Sequence, residues 1–353
     1  MNILLTFIYF LIVLTIVVFI HEFGHYYVAK KCGVKIVEFS IGMGKKLFGF
    51  KDKNGCEWKF CLIPLGGYVQ MYGDDNATSF SVYKESPTED ELKYSLIYKH
   101  PLKKIAVAFA GPFMNFVLSF FLFLFIFCSH GKPVIEPVIG EVLKSSYAEK
   151  SGILANDVIL SVNGKKIETF SDISYNLQYS TGNKKDVEIE ILRDNKKIKI
   201  NAQYKKNEVF GIKSKESNKF KKLLFTTSIK DSVYNIYDLS FKTGKALFNM
   251  VVHQNGFKNI GGPIAIAKES GRAGAQGFWS LLYFISLISV ILGATNLIPI
   301  PPLDGGQIVV NFAELITRRR FSNKVYKILV YIGFGFVACL MALGFINDLF
   351  INR

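Results

Sequence analysis

Four stretches of this chain, Ile3–Ile20, Ile105–Cys128, Leu281–Ile300 and Ile328–Ile346, contain no Lys, Arg, Asp or Glu. Each comes close to or exceeds the roughly 20 apolar residues that carry a helix across a bilayer. In hydrocarbon every backbone N–H and C=O must be satisfied within the structure, so such segments are helical. The first stretch lacks the charged leader and small-residue cleavage site of a signal peptide, and reads as a retained span. The expected fold class is therefore a polytopic α-helical membrane protein with four transmembrane helices.

The first span runs directly into His21-Glu22-Phe23-Gly24-His25. At i and i+4 the two imidazoles share one helix face, so both can reach a single Zn²⁺. Glu22 stands beside that face, where a carboxylate can take a proton from a water the metal activates. Ionisable groups at this depth are costly and default to function. The bland alternative is a helix end whose histidines rest among lipid headgroups. The other three of the five histidines, His100, His130 and His253, form no series and read as lone surface or interfacial groups.

Positive charge orients the spans. Lys30, Lys31, Lys35, Lys45, Lys46, Lys51, Lys53, Lys59, Lys99, Lys103 and Lys104 lie between spans one and two, and Arg318, Arg319, Arg320, Lys324 and Lys327 between spans three and four. Both segments read as cytoplasmic, which puts residues 129–277 and both termini on the other face. Spans one and three then run in the same direction, and a third metal ligand is expected at the inner end of span three. Asp304 stands there, after Pro299, Pro301 and Pro302, which break the helix. His21, His25 and Asp304 leave one coordination position open, the pattern of a catalytic site. Asp304 could instead be a loop aspartate capping the next helix.

The segments between spans differ in texture. Residues 36–72 alternate and carry glycines, and read as a hairpin around Asp52–Gly55 that forms a membrane-associated β-sheet. An unpaired edge there could hold an extended substrate. Residues 132–205 read as short strands (Val134–Leu143, Asp157–Gly164, Asp186–Arg193, Lys196–Tyr204) with helices near Ser145–Gly152 and Ser171–Tyr179. This small inserted α+β module suits peptide capture by strand addition, steric control, or service as a spacer. Phe220–Val252 has helical apolar spacing among lysines, consistent with a helix lying along the outer membrane surface or with an ordinary amphipathic helix.

The expected organisation is thus 1–30 for the first helix and its motif, 31–103 for the β region and 104–128 for the second helix. It continues with 132–205 for the module, 206–277 for the amphipathic helix and linker, 278–303 for the third helix, 304–327 for the basic loop and 328–347 for the fourth helix. The formal charge of +15 comes without aromatic-interleaved basic motifs, so the lysines are assigned to anionic membrane lipid and no nucleic-acid partner is expected. The five cysteines show no CxxC pair.

Taken together, His21–His25, Ile63–Tyr68, Ala110–Asn115, Gly262–Lys268 and Asn296–Asp304 resemble the site-2 protease family of intramembrane zinc metalloproteases, in its bacterial RseP-like branch. The resemblance covers nearly the whole chain and makes the inserted module PDZ-like. It implies one Zn²⁺ per chain on His21, His25 and Asp304, with Glu22 as catalytic base. Asn296, Pro299 and Pro301 would help present substrate, and the 36–72 hairpin would be membrane-reentrant. Asn115 would make a polar contact near the site, grouped with the substrate-binding residues; packing glue between helices is the plain alternative. The implied activity is hydrolysis of peptide bonds within transmembrane segments of single-pass proteins or peptides, in regulated intramembrane proteolysis of anti-sigma factors or remnant signal peptides. The implied location is the bacterial inner membrane, with the PDZ-like module in the periplasm. Ile291 stands where family members often carry a second Asn, Gln307 replaces a frequent His, and one PDZ-like module stands where well-known relatives have two. Two other classes compete: a non-catalytic membrane binding protein, which would not need Glu22, and a metal permease, which would need several ligand sets along a path.

Overall fold

The computed structural model describes residues 2–73, 86, 88–133, 135–179, 186–205, 209–215, 220–252, 262–319 and 321–350. Val134, His253 and Arg320, singled out above, lie outside the described residues. In chain order the elements are α1 (Ile3–Lys31), β1 (Ile36–Lys51), β2 (Glu57–Met71), α2 (Glu89–Tyr94) and α3 (Pro101–Ser129). There follow β3 (Lys132–Pro133), β4 (Ile139–Val142), α4 (Tyr147–Lys150), β5 (Val158–Val162), β6 (Lys165–Lys166), α5 (Phe170–Tyr179), β7 (Asp186–Arg193), β8 (Lys196–Gln203), β9 (Ile212–Ser214) and β10 (Phe220–Lys221). The chain closes with α6 (Phe225–Val252), α7 (Pro263–Ala275), α8 (Phe278–Asn296), α9 (Asp304–Thr317) and α10 (Asn323–Phe350). Four of these, α1, α3, α8 and the Ile328–Leu349 part of α10, are long and apolar enough to cross a membrane.

Two compact units result, residues 1–126 with 224–353, and residues 127–223. In the first, α1 starts where the Asn2 side chain accepts the Leu4 N–H and runs unbroken through the histidine motif to Lys31. Leu281, Phe284, Ile285 and Ile288 of α8 pack with Val13 and Val17 of α1. Further along, Asn296 of α8 meets His21 of α1. Contacts that advance together along both helices make them parallel, the arrangement inferred from charge. Pro299 cannot donate a backbone hydrogen bond, and α8 stops at Asn296; a non-helical turn, 297–303, leads into α9.

Antiparallel pairing of β1 with β2 is irregular, and its register makes residues 36–41 an interior run. Phe39 faces both Val69 and Trp58, and Ile41 faces both Gly67 and Phe60. Residues 67–71 form one outer run and 46–51 the other. The inner part seals against α1 and α3 through Tyr26, Phe39, Val69, Met71 and Val107. The outer part is exposed and apolar, with Leu47, Phe48, Phe50 and Leu62 each more than half exposed. The hairpin expected over 36–72 is present, and residues 43–51 continue β1 to the turn at Asp52–Gly55.

The second unit is a four-stranded antiparallel sheet, β6-β5-β7-β8, with β4 paired to β9 and helices α4 and α5. Its core is mostly aliphatic, with Ile139, Ile159, Ile189 and Ile191 at 0–1% exposure, and includes Tyr204 and Phe210. Asp157, 1% exposed, is held by the guanidinium of Arg193 through Nε to Oδ1 and Nη2 to Oδ2, both at 2.7 Å, and by the Leu154 N–H. Asp157 in turn raises the Arg193 pKa. Replacing Arg193 by Ala leaves an enclosed carboxylate without its cation, an expected loss of about 3 kcal/mol in the stability of this unit. Arg193→Lys, lacking the two-pronged geometry, should recover only part. Chemical unfolding of the purified chain, followed by proteolytic release of this unit, measures both.

Candidate metal centre

His21 and His25 leave α1 on one face, with their Nε2 atoms 3.2 Å apart. Asp304, the first residue of α9, places Oδ2 3.2 Å from His21 Nε2 and Oδ1 3.5 Å from His25 Nε2. One donor atom from each of the three lies within 4.8 Å of the others. Ligands about 2 Å from a tetrahedral ion stand roughly 3.3 Å from each other. The three donors therefore fit one ion with little adjustment. Side-chain exposures of 9, 12 and 13% keep them largely out of solvent. Capping does not explain Asp304: Leu303 is the cap residue of α9, and no side-chain cap bond is made. At the first helical position its charge also meets the positive end of the α9 dipole.

The middle helix, α3, contributes no ligand yet shapes the site. His25 Nδ1–H donates to the Val107 carbonyl at 2.8 Å, so its Nε2 lone pair faces Asp304. Close to that carbonyl, Pro112 interrupts the α3 hydrogen-bond ladder. A Cβ at Gly111 would lie 2.3 Å from His25 Nε2 and 2.9 Å from His21 Cε1. A Cβ at Gly24 would lie 2.3 Å from the Ala110 carbonyl oxygen. Both glycines let the α1 and α3 backbones approach closely enough to fit the imidazoles between them. Asn115, with no exposed surface, sets its amide 3.2 Å from His21 Nδ1. From α3 to α9, Lys104 and Glu314 form a nearly buried ion pair at 3.0 Å, which fixes the helix that begins with Asp304.

Glu22 is partly buried on the side of α1 that meets β2, where a Cβ at Gly67 would stand 3.0 Å from Glu22 Cγ. The outer run 67–71 thus passes beside the Glu22 side chain. Asn296 brings its amide nitrogen 3.4 Å from His21 Nε2. Pro299 is exposed, and Pro301 folds back over Gly306 in the first turn of α9. Ile291, on α8, is also exposed.

Reasoning from sequence did not assign the Val107 carbonyl, Gly111, the Lys104–Glu314 pair or helix α7. Small residues at positions 110–111 and 24 were the available signal for close helix contact. Nothing in the local sequence marks a main-chain carbonyl as a histidine partner. Helix α7 falls within the expected linker 206–277, and it packs against α1, where a Cβ at Gly274 would strike the Tyr9 ring.

A bundle of apolar helices on which three metal-competent side chains converge defines a polytopic membrane protein of the metallohydrolase kind. The chain belongs to peptidase family M50, whose model matches residues 9–340. A protein of Mesorhizobium japonicum is 37% identical over 97% of this chain and 97% of its own length. One from Rickettsia conorii is 37% identical over 98% and 99%, and one from Campylobacter jejuni 33% identical over 96% and 91%. All three carry the name "Putative zinc metalloprotease". The family resemblance drawn from the motifs is thereby borne out, and the enzyme is a metalloendopeptidase.

Gly111→Ala should weaken binding of a divalent metal about tenfold or more, because the imidazoles must move aside. Gly244→Ala, whose Cβ would meet nothing within 4 Å, should leave affinity unchanged. Metal titration of the two purified variants checks the pair.

Proposed function

We propose that this chain is an intramembrane zinc endopeptidase in which His21, His25 and Asp304 hold one Zn²⁺ and Glu22 is the catalytic base. The observation that carries the reading is the convergence of three donor atoms within 4.8 Å, two from a helix apolar enough to span a bilayer and one from the helix that follows another such span. Nitrogen and carboxylate donors in this number suit zinc with an open position. When bound, zinc polarises the scissile carbonyl and makes water a competent nucleophile near neutral pH. Glu22 takes a proton from the attacking water and passes it to the leaving amine as the C–N bond breaks. The Asn296 amide, beside the metal-facing nitrogen of His21, is placed to donate to the carbonyl oxygen as it gains charge.

Proteases of this family act on membrane proteins, and a transmembrane helix hides its peptide bonds in its own hydrogen-bond ladder. The substrate must therefore be unwound. Beside Glu22, the outer run 67–71 is the sheet edge along which an extended segment can be laid, and Pro299 and Pro301 shape the opposite wall. Single-pass proteins or remnant signal peptides fit this use, as in regulated intramembrane proteolysis. The apolar outer part of β1 and β2 suits insertion into the bilayer, and the lysines around it suit anionic headgroups. We assign the chain to a bacterial inner membrane, with the PDZ-like module 132–205 in the periplasm, where it binds or sorts substrates before entry.

Glu22→Gln should retain one zinc per chain and lose cleavage of a model transmembrane substrate by about 10²–10⁴-fold. Substantial cleavage by this variant would refute the assigned base. A chelator should abolish wild-type activity and Zn²⁺ restore it, followed by the same cleavage measurement with zinc content recorded.

A further inference from the structure

We infer that Asn115 is a positioning residue: its carboxamide oxygen accepts the Nδ1–H of His21 and holds that imidazole with the Nε2 lone pair facing Asp304 and His25. The inference rests on the zinc site proposed above and deepens it.

Two amide nitrogens flank the His21 ring. Asn115 Nδ2 lies 3.2 Å from Nδ1, and Asn296 Nδ2 lies 3.4 Å from Nε2. A neutral imidazole has one N–H and one acceptor nitrogen, so both amides cannot donate to it. Asn115 also has an enclosed Oδ1 with no hydrogen-bond partner. The two ends of a primary amide have the same shape, and their assignment follows from the hydrogen bonds they can make. Exchanging the ends of Asn115 puts Oδ1 on the Nδ1–H of His21, which gives the oxygen a donor and leaves Asn296 as the one amide donor facing the ring. Nε2 is then free of its proton, which is the state a metal ligand requires.

The surroundings suit a fixed orienting group. Asn115 has no exposed surface, so it offers no face to a substrate, in contrast to Asn296. Its main-chain carbonyl accepts hydrogen bonds at 2.9 Å from Ser119 Oγ on the same helix and from Ser289 Oγ, the latter tying this turn of α3 to α8. Val107, two turns earlier on α3, supplies the oxygen behind His25. Each imidazole thus has one oxygen acceptor behind it, and both acceptors come from α3.

Zinc affinity of the full-length purified protein, measured by competition with a chromophoric chelator, tests this. Asn115→Asp preserves shape and an acceptor oxygen, and should stay within about threefold of wild type. Asn115→Leu and the smaller Asn115→Ala, which cannot overpack the interface, should bind zinc about 10–100-fold more weakly. The Co²⁺ absorption bands should be unchanged in Asn115→Asp and displaced in the other two. Wild-type affinity in both apolar variants would overturn the inference and leave the zinc site standing. So would an Asn115→Asp variant as weak as Asn115→Leu, since that would make the amide a donor. A wild-type chain that binds no zinc would overturn the site and this inference together.

Discussion

Placing two imidazoles and a carboxylate in a low-dielectric helix bundle is the constraint on which the rest of this structure depends. Each group is expensive to bury alone, and together they are tolerable because each faces the others and has further partners. The Asp304 oxygens lie 3.2 and 3.5 Å from the two Nε2 atoms, and the far sides of both rings point to α3. A metal ion would complete the neutralisation of a cluster whose geometry is already set by packing.

Packing achieves this through unequal contributions. Helix α1 supplies two of the three convergent side chains, with Glu22 beside them, and α9 the third, while α3 supplies only a frame. The Val107 carbonyl, the bare surface at Gly111 and the buried amide of Asn115 decide where the rings point. Serines 119, 286 and 289 are buried between α3 and α8, where hydroxyls bonded to main-chain carbonyls permit close approach within an apolar bundle. At the other end, Lys104 and Glu314 anchor α9, so the carboxylate that begins this helix is not left to a flexible loop.

The β-sheet serves a different purpose. Its interior run is fully engaged, while the run 67–71 is outermost beside Glu22 and the segment 46–51 shows aromatic side chains outward. Polar backbone is tolerated near lipid only where it is paired or lines a protected space. A sheet with one edge against α1 can meet that condition in two ways, by facing a cavity or by pairing with an incoming chain. The second is a means of holding open a segment that would otherwise return to a helix.

Much of this was legible in the residues alone, because the relevant signals are local. Uncharged runs mark the spans, a spacing of four places His21 and His25 on one face, and three prolines stop α8 before Asp304. The partnership of Asp304 with the histidines could be anticipated from lysine distribution, since parallel spans bring their inner ends to one depth. Local pattern was silent on α7, whose Gly274 lets it close on the Tyr9 ring of α1. What only the tertiary structure decided is which atoms stand behind the histidines. A main-chain carbonyl has no residue type, and an asparagine reads the same whether it holds a ring, glues helices or faces substrate. Sequence determines which groups are available and on which face; contact between distant segments determines which nitrogen keeps its proton.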